Sequence, residues 1–402
     1  MSKLSEMIAR LCPNGVEYKK LGEIARICRG VRVVRKELIE NGKYAVYQNS
    51  LKPLGYYNEA NVKGGTAFVI GAGAAGEVGY SEQDFWAADD CYYIDGGDQL
   101  IGRYVYYCLT SRQSWLESKT RKASIPRLSR DFIAALEIPL PPLPVQREIV
   151  QILDNFANLT AELTAELTAE LAKRKKQYEH YRDMLLNFTG GGRYDEFGVE
   201  WKRLGEIGVF FGGLNGKSKT DFSNGNARYL TYMNVYSNIA APVECNNFVK
   251  VATGEKQNML HKGDVIFTGS SETPEECGMS SVIVSEPSTP LYLNSFCFGF
   301  RFEDSAIYLP EFAKFLFRSE ALRKQIIKTA SGVTRFNVSK RRMESVQVPI
   351  VPLAEQRRIV AILDRFDALC NSLTEGLPAE IALRKKQYEY YRDRLLSFKE
   401  VG

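Results

Sequence analysis

Histidine is nearly missing from this chain: His180 and His261 are the two in 402 residues. With one on a helical rod and one in a loop, no HExxH zinc site, nucleophile elbow or Cys/His dyad can be built. Cysteine is present eight times but scattered, never as CxxC, so neither a zinc ribbon nor a disulfide frame is written into the chain, and a reducing compartment suits it. There is no Asp/Asn-Pro-Pro-Tyr/Phe stretch of the kind amino-methyltransferases carry. No run is long and apolar enough to span a bilayer. The opening MSKLSEMIARL has charges where a signal peptide needs an apolar core. These absences predict a soluble cytoplasmic protein, away from membranes, that binds rather than catalyses.

Two glycine-rich stretches look like nucleotide loops and fail on spacing. Gly71-Ala-Gly-Ala-Ala-Gly76 matches GxGxxG after the apolar run Ala67 to Ile70, but Glu77-Val-Gly-Tyr80 continues as turn or strand where a dinucleotide fold needs a helix. Its glycines instead suit a tight turn with close backbone approach. Gly212-Gly-Leu-Asn-Gly-Lys-Ser218 leaves three residues between the glycines of a phosphate loop where four are required, and Phe211 stands where the first glycine should be.

What the chain does have is a tetrapeptide written three times, TAEL from Thr160 to Leu171. Ala, Glu and Leu favour helix strongly. Leu163, Leu167 and Leu171 continue an apolar face that runs from Ile149, Ile152, Phe156 and Leu159 to Tyr178, Tyr181, Leu185 and Phe188. A helix from Pro144 to Phe188 would be roughly 67 Å long, too long for one globular core, and reads as an arm of a coiled coil. Each TAEL unit adds about 6 Å and turns the apolar stripe by about 40°. The run can therefore act as a ruler whose ends shift without unfolding it.

The chain also repeats itself on a larger scale. Gly15-Val-Glu-Tyr-Lys-Lys-Leu-Gly-Glu-Ile24 returns as Gly198-Val-Glu-Trp-Lys-Arg-Leu-Gly-Glu-Ile207 at an offset of 183, and Pro142 to Asp154 returns as Pro352 to Asp364 at an offset of 210. Arg174-Lys-Lys-Gln-Tyr-Glu179 returns as Arg384 to Glu389 at the same 210. Each half predicts an opening strand (Lys20 to Ile27; Arg203 to Phe211) and then a mixed region. Strands are expected at Tyr44 to Gln48, Thr66 to Ile70 and Cys91 to Ile94, and at Tyr229 to Met233, Asp264 to Thr268 and Phe296 to Phe302. A helix (Ile101 to Glu117; Pro310 to Lys328) and a Pro-rich stop before the rod complete each half. In the second rod Glu375-Gly-Leu-Pro378 should break the helix, with Leu373, Leu377 and Ile381 carrying the apolar face. Gly190-Gly-Gly192 is expected to end the first rod, and Ser2 to Leu11 to pack near the C-terminal one. The fold class is α+β: two related globular domains separated by long antiparallel helical regions, with a pseudo-two-fold arrangement.

The net charge is +5. The two helical stretches sum to zero, so the basic excess falls on the globular parts and suggests a polyanionic partner. Tyr44-Ala-Val-Tyr-Gln-Asn49 and Tyr229-Leu-Thr-Tyr-Met-Asn234 share Tyr-x-x-Tyr-x-Asn. Gln48, Asn49, Tyr232 and Asn234 are candidates to meet base edges, since carboxamides pair with adenine in a major groove. Core packing for the tyrosines and strand-end capping for the asparagines is the other reading of the same residues. Arg32 and Lys36 after the first opening strand have Lys217 and Lys219 as counterparts. Arg121, Lys122 and Arg127 before the first rod correspond to Arg335 and Asn337. Such side chains on loops suit phosphate clamping.

With these features the chain resembles the specificity subunits of type I DNA restriction–modification systems, of the subfamily usually called IC. The doubled Leu-Gly-Glu-Ile openings, the doubled Gln-Arg-x-Ile-Val-x-Ile-Leu-Asp rods, the doubled Arg-Lys-Lys-Gln-Tyr-Glu ends and the TAEL run carry that resemblance over the whole length. Val145 departs from it where the second copy has Glu355. The resemblance implies target-recognition domains at 1–143 and 191–352 and helical spacers at 144–190 and 353–402. It implies double-stranded DNA as partner, each domain reading half of a split site, and a gap tuned by TAEL copy number. It further implies two modification subunits that methylate adenine N6 and two restriction subunits that cleave with ATP. S-adenosylmethionine, ATP and Mg²⁺ would be used by those partners, with no cofactor, no metal and no catalytic residue in this chain. The competing expectations are a cytosolic coiled-coil scaffold with protein- or glycan-binding end domains, and a nucleotide-dependent enzyme built on Gly71 to Gly76.

Overall fold

The computed structural model describes residues 3–121, 124–188, 199–371 and 376–401. The chain divides into two compact units, one of Met1–Thr168 with Glu380–Gly402 and one of Ala169–Ala379. Among the described residues no helix is long and apolar enough to cross a membrane, and the cysteines at 12, 28, 91, 108, 245, 277 and 297 are all free.

Both units are mixed α and β, and they share one topology. In the first, an antiparallel sheet orders Arg26–Arg29, Cys91–Asp95, Thr66–Ile70 and Val78–Ser81. In the second, the same places are taken by Gly208–Gly212, Cys297–Phe302, Val265–Thr268 and Ser280–Val282. Thr66–Ile70 and Val265–Thr268 are buried along nearly their whole length, which is why they read as unbroken apolar runs. A smaller sheet sits beside each: Gly55–Tyr57, Tyr44–Tyr47 and Trp86–Ala87 in one, Phe248–Val249, Ala227–Leu230 and Leu291–Leu293 in the other. In both, the middle strand runs parallel to the last-named one, Tyr44–Tyr47 to Trp86–Ala87 and Ala227–Leu230 to Leu291–Leu293.

The doubled Leu-Gly-Glu-Ile differs from expectation. The opening is not one strand: Tyr18–Lys20, a single helical turn Leu21–Ile24, then Arg26–Arg29, repeated as Glu200–Arg203, Leu204–Ile207 and Gly208–Gly212. Leu21 and Leu204 are fully buried by that turn. The Pro-rich segments do not stop the sheet either. Glu137–Pro139 and Gln347–Ile350 are themselves strands, pairing antiparallel with Tyr18–Lys20 and Glu200–Arg203. Proline is tolerated because each ribbon has only two strands and an outward edge needs no N–H. The long helix expected in each half is split in two, at Arg112 in the first and at Ser319 in the second, where the Ser319 hydroxyl caps Leu322.

Leu143–Leu185 is one helix of 43 residues. The second rod is broken as its glycine and proline require, into Leu353–Asn371 and Gly376–Leu395. Gly376 has φ +76°, and a Cβ there would lie 2.6 Å from the Leu369 carbonyl oxygen. Leu163, Leu167, Leu171, Leu377 and Ile381 are half-buried; Leu373 and Gly190 to Gly192 lie outside the described residues.

Each unit's core joins sheet, helices and rod. In the first, Leu21, Tyr104, Leu116 and Ile133 pack with Val145, Ile149 and Leu153 of the long helix and with Leu4 and Leu396 from the two ends of the chain. Val16 donates its N–H to the Lys399 carbonyl at 2.8 Å, and Phe156 meets Tyr391 with ring centres 5.7 Å apart. In the second, Phe267, Phe300, Phe312 and Phe317 pack with Ile359 and Leu363, and Tyr181 stacks on Phe366 at 5.9 Å. Val145 is fully buried where the second unit has Glu355, which pairs with Arg358 at 2.6 Å. The first unit keeps a charge pair nearby by another route, Lys3 to Glu148 at 2.5 Å.

Candidate nucleic-acid interface

In the second unit the strands Ser270–Ser271, Phe336–Val338 and Ala330–Ser331 form a small antiparallel sheet next to the helix Tyr232–Ser237. Two open concavities meet there. One, of about 610 Å³, is walled by Gly212, Gly213, Asn215, Asn337 and Lys340. The other, of about 940 Å³, is walled by Tyr232, Met233, Tyr236, Glu272, Glu276 and Arg335. Ser270 and Phe296 line both. Phe296 is 59% exposed and Met233 58% exposed, and both line the larger concavity.

Tyr232 donates its hydroxyl to the Ser270 carbonyl at 2.9 Å and stacks on Tyr236. Arg335 donates from Nε to the Ser270 hydroxyl at 3.1 Å and holds its guanidinium 5.9 Å from the Phe296 ring. Asn337 pairs with Ser270 through the ladder and leaves its side chain exposed. Tyr232, Arg335 and Asn337 are thus gathered on one surface.

Asn234 and Lys217 have other work. Tyr229 to Met233 is not a strand: the strand ends at Leu230 and a helix starts at Tyr232. Asn234 closes that helix's capping box, its carboxamide oxygen accepting from the Thr231 N–H at 2.9 Å and the Thr231 hydroxyl at 2.7 Å. Lys217 turns inward, with an 8% exposed side chain, onto Glu255 and the Lys250 carbonyl, both at 2.6 Å. That ammonium, the Ala252 N–H and Gln257 hold the Glu255 carboxyl down at about 2. Lys219 is exposed at the start of the short turn Lys219–Phe222.

The first unit repeats the frame with different side chains. The Leu128 N–H meets the Gly71 carbonyl at 2.8 Å just as the Val338 N–H meets that of Gly269 at 2.9 Å. By that ladder Arg127 takes the place of Asn337, and Arg121, bridged to Arg127, takes that of Ser331. Both arginines are exposed. The loop Gly71 to Gly76 lies between Asn49 and this pair: the Asn49 carbonyl accepts from the Ala74 N–H at 2.9 Å, and the Gly73 N–H donates to Pro126 at 3.1 Å. Gly73 has φ +86° and no room for a Cβ, which would sit 2.7 Å from the Asn49 oxygen. The loop leads into the strand Val78–Ser81 and not a helix, which disposes of a dinucleotide site there. Gln48 is half-buried and Asn49 exposed, after the strand Tyr44–Tyr47. Arg32 and Lys36 are exposed on a separate segment, before and within the turn Arg35–Glu37. Lys122 lies outside the described residues.

The shared Tyr-x-x-Tyr-x-Asn requires a correction. Tyr47 pairs with Ala87 as Leu230 pairs with Leu293, and the Ala88 N–H meets the Tyr47 carbonyl as the Asn294 N–H meets that of Leu230. The structural offset is still 183, so Asn49 corresponds to Tyr232, and the motif match is two residues out of register. The sequence reading also missed Phe296, Met233, Glu276 and Lys340. Only Lys340, in Lys-Arg-Arg, carried a visible signal.

Among the described residues no group of three His, Cys, Asp or Glu is placed to hold a metal. The gathered groups are donors, acceptors and aromatic faces on an open surface, suited to recognition and not to bond making. A family model described as the type I restriction modification DNA specificity domain matches the chain twice, at residues 13–173 and 198–383. The chain is 35% identical over 315 residues to a type I restriction enzyme specificity subunit of Escherichia coli, covering 75% of this chain and 72% of that one. It is 32% identical over 410 residues to a chain of Haemophilus influenzae named as such a subunit, covering 95% and 96%. In fold it is similar to a chain from a structure of the assembly and conformational transition of the type I R-M system, with TM-score 0.65, 16% identity and coverage of 95% and 97%. A second neighbour is the HsdS subunit of Thermoanaerobacter tengcongensis, with TM-score 0.50, 15% identity and coverage of 96% and 97%. Nothing in these matches supports the scaffold alternative.

Proposed function

This chain belongs to the type I restriction–modification DNA specificity family, and on that premise we propose that it selects a bipartite double-stranded DNA site for partner enzymes. Each unit reads one half-site, and the long helices set the gap between them. The observation that carries the reading is the twofold match to a DNA specificity domain on two units of one topology, each presenting an exposed residue at the same ladder position: Arg127, bridged to Arg121, in one, and Asn337, two residues after Arg335, in the other.

Target recognition is assigned to 1–143 and 191–352, and spacing to 144–190 and 353–402. Arg32, Lys36, Arg121, Arg127, Lys219 and Arg335 contact phosphates. Gln48, Asn49, Tyr232 and Asn337 face bases. Two modification subunits methylate adenine N6 with S-adenosylmethionine, and two restriction subunits cleave with ATP and Mg²⁺. The complex works in the cytoplasm.

The test is to map modified adenines across the genome of cells carrying this chain with its modification partner. A motif of two short sequences separated by a fixed unspecified gap is expected. A contiguous motif, or none, would refute the proposal.

A further inference from the structure

The two units differ most where the interface is built. Gly71 to Gly76 is six residues long and its counterpart, Gly269 to Gly278, is ten, the ends being matched by the same backbone bonds, Ile70 to Glu77 and Thr268 to Met279. The longer loop carries Glu276 into the wall of the larger concavity. The Tyr236 hydroxyl donates to one carboxylate oxygen of Glu276 at 2.8 Å, and the Ser271 hydroxyl to the other at 3.1 Å. These bonds keep the carboxyl below its usual range.

The loop beneath is rigid. Arg323 donates to the carbonyls of Glu275, Cys277 and Gly278 at 2.6 to 2.7 Å. Arg318 does the same for Ser280 at 2.6 Å and Tyr236 at 2.9 Å. Gly278, at φ +62°, lies where a Cβ would meet Ile326 at 2.5 Å. A fixed anion in a groove meant for a polyanion is costly unless a particular donor compensates it. In the major groove, bases offer such donors only as the exocyclic amines of cytosine and adenine, while guanine O6 and thymine O4 are repelled.

We propose that Glu276 is a specificity-determining residue whose carboxylate accepts a hydrogen bond from a cytosine or adenine amino group in the half-site read by the second unit. This rests on the bipartite DNA reading above. The shorter loop of the first unit, Gly71 to Gly76, holds no acidic residue, so that loop makes no such contact.

The experiment uses the full chain with its modification partner and compares modified-adenine motifs for wild type, Glu276→Gln and Glu276→Ala, with binding to duplexes carrying each of the four bases at the affected position. Both variants are expected to lose about tenfold in discrimination at one position of one half-site. The other half-site and the gap stay unchanged. Tyr236→Phe, which frees the carboxylate without removing it, should relax the same position more weakly. A wild-type complex with no bipartite motif would remove the premise. A bipartite motif that stays the same, base for base, in all three variants overturns the assignment of Glu276 alone.

Discussion

Gln146 and Gln356, 210 positions apart, do the same task in their separate units. Each is fully buried. The Gln146 carboxamide oxygen accepts from the Ile101 N–H at 3.0 Å, and its nitrogen donates to the carbonyls of Gln99 and Pro141, both at 2.9 Å. Gln356 accepts from Leu309 at 2.8 Å and donates to Ile307 at 2.9 Å and Val351 at 2.7 Å. The repeated glutamine is thus a bolt between each domain and its rod. Directly after the buried pair Ile149 and Leu153, Asp154 receives Arg103 and Tyr107, and directly after Ile359 and Leu363, Asp364 receives Lys314.

Gln356→Ala strands three polar backbone groups in the second unit and should cost on the order of 3 kcal/mol. Urea denaturation followed by a probe in the second unit checks this; a loss under about 0.5 kcal/mol would mean that water replaces the amide.

Arg335 and Lys217 are both cations of the second recognition region and should behave differently. Arg335→Ala should weaken DNA binding by about tenfold and reduce the slope of log affinity against log salt by about 1. Lys217→Met should leave that slope alone and lower the melting temperature, because its charge faces Glu255. Titrations at several salt concentrations separate the two.

The Glu255 carboxyl, held near 2 against an ordinary 4.5, gives a pH signature. A depressed acid stabilises the fold fully above its ordinary range and loses that contribution as pH falls toward the folded value. Hydrogen-exchange protection around Asn215 and Ala252, taken relative to the intrinsic exchange rate at each pH, should therefore fall between about pH 4.5 and pH 2. Glu255→Gln should show low protection already at neutral pH and little change on acidification.

Gly73→Ala should destabilise the first unit by about 1–3 kcal/mol, through a left-handed backbone and contact with Asn49. Gly216→Ala, at φ +66° but in open space, should cost nearer 1 kcal/mol. Thermal melts of the two variants compare them directly.

Removing one TAEL unit shortens the helix by about 6 Å, or one to two base pairs at about 3.4 Å each. The mapped motif should lose that many positions from its gap and keep both half-sites. A change in half-site bases would show that the helix does more than measure.

Much of this was readable in advance, for physical reasons that differ by element. The TAEL helix declared itself through composition and period, and the break in the second rod through Gly376 and Pro378. The glycines of 71 to 76 could be assigned to a tight turn because no helix followed them. The turn Leu21–Ile24 could not be read, since four residues are too few to show a helical period beside strand-like neighbours. Tyr232 to Asn234 misled because a capping box and a strand end use the same residue types. Lys217 shows a further limit. Its inward turn depends on Glu255, distant in sequence, and no local pattern reveals it.

The seam between Val16 and Lys399 has a consequence for how the molecule is made. The unit spanning Ala169–Ala379 is a single uninterrupted stretch of chain. Its sibling, although begun first, must wait for residues after Glu380. A nonsense mutation late in the reading frame would therefore injure the half of the protein translated earliest.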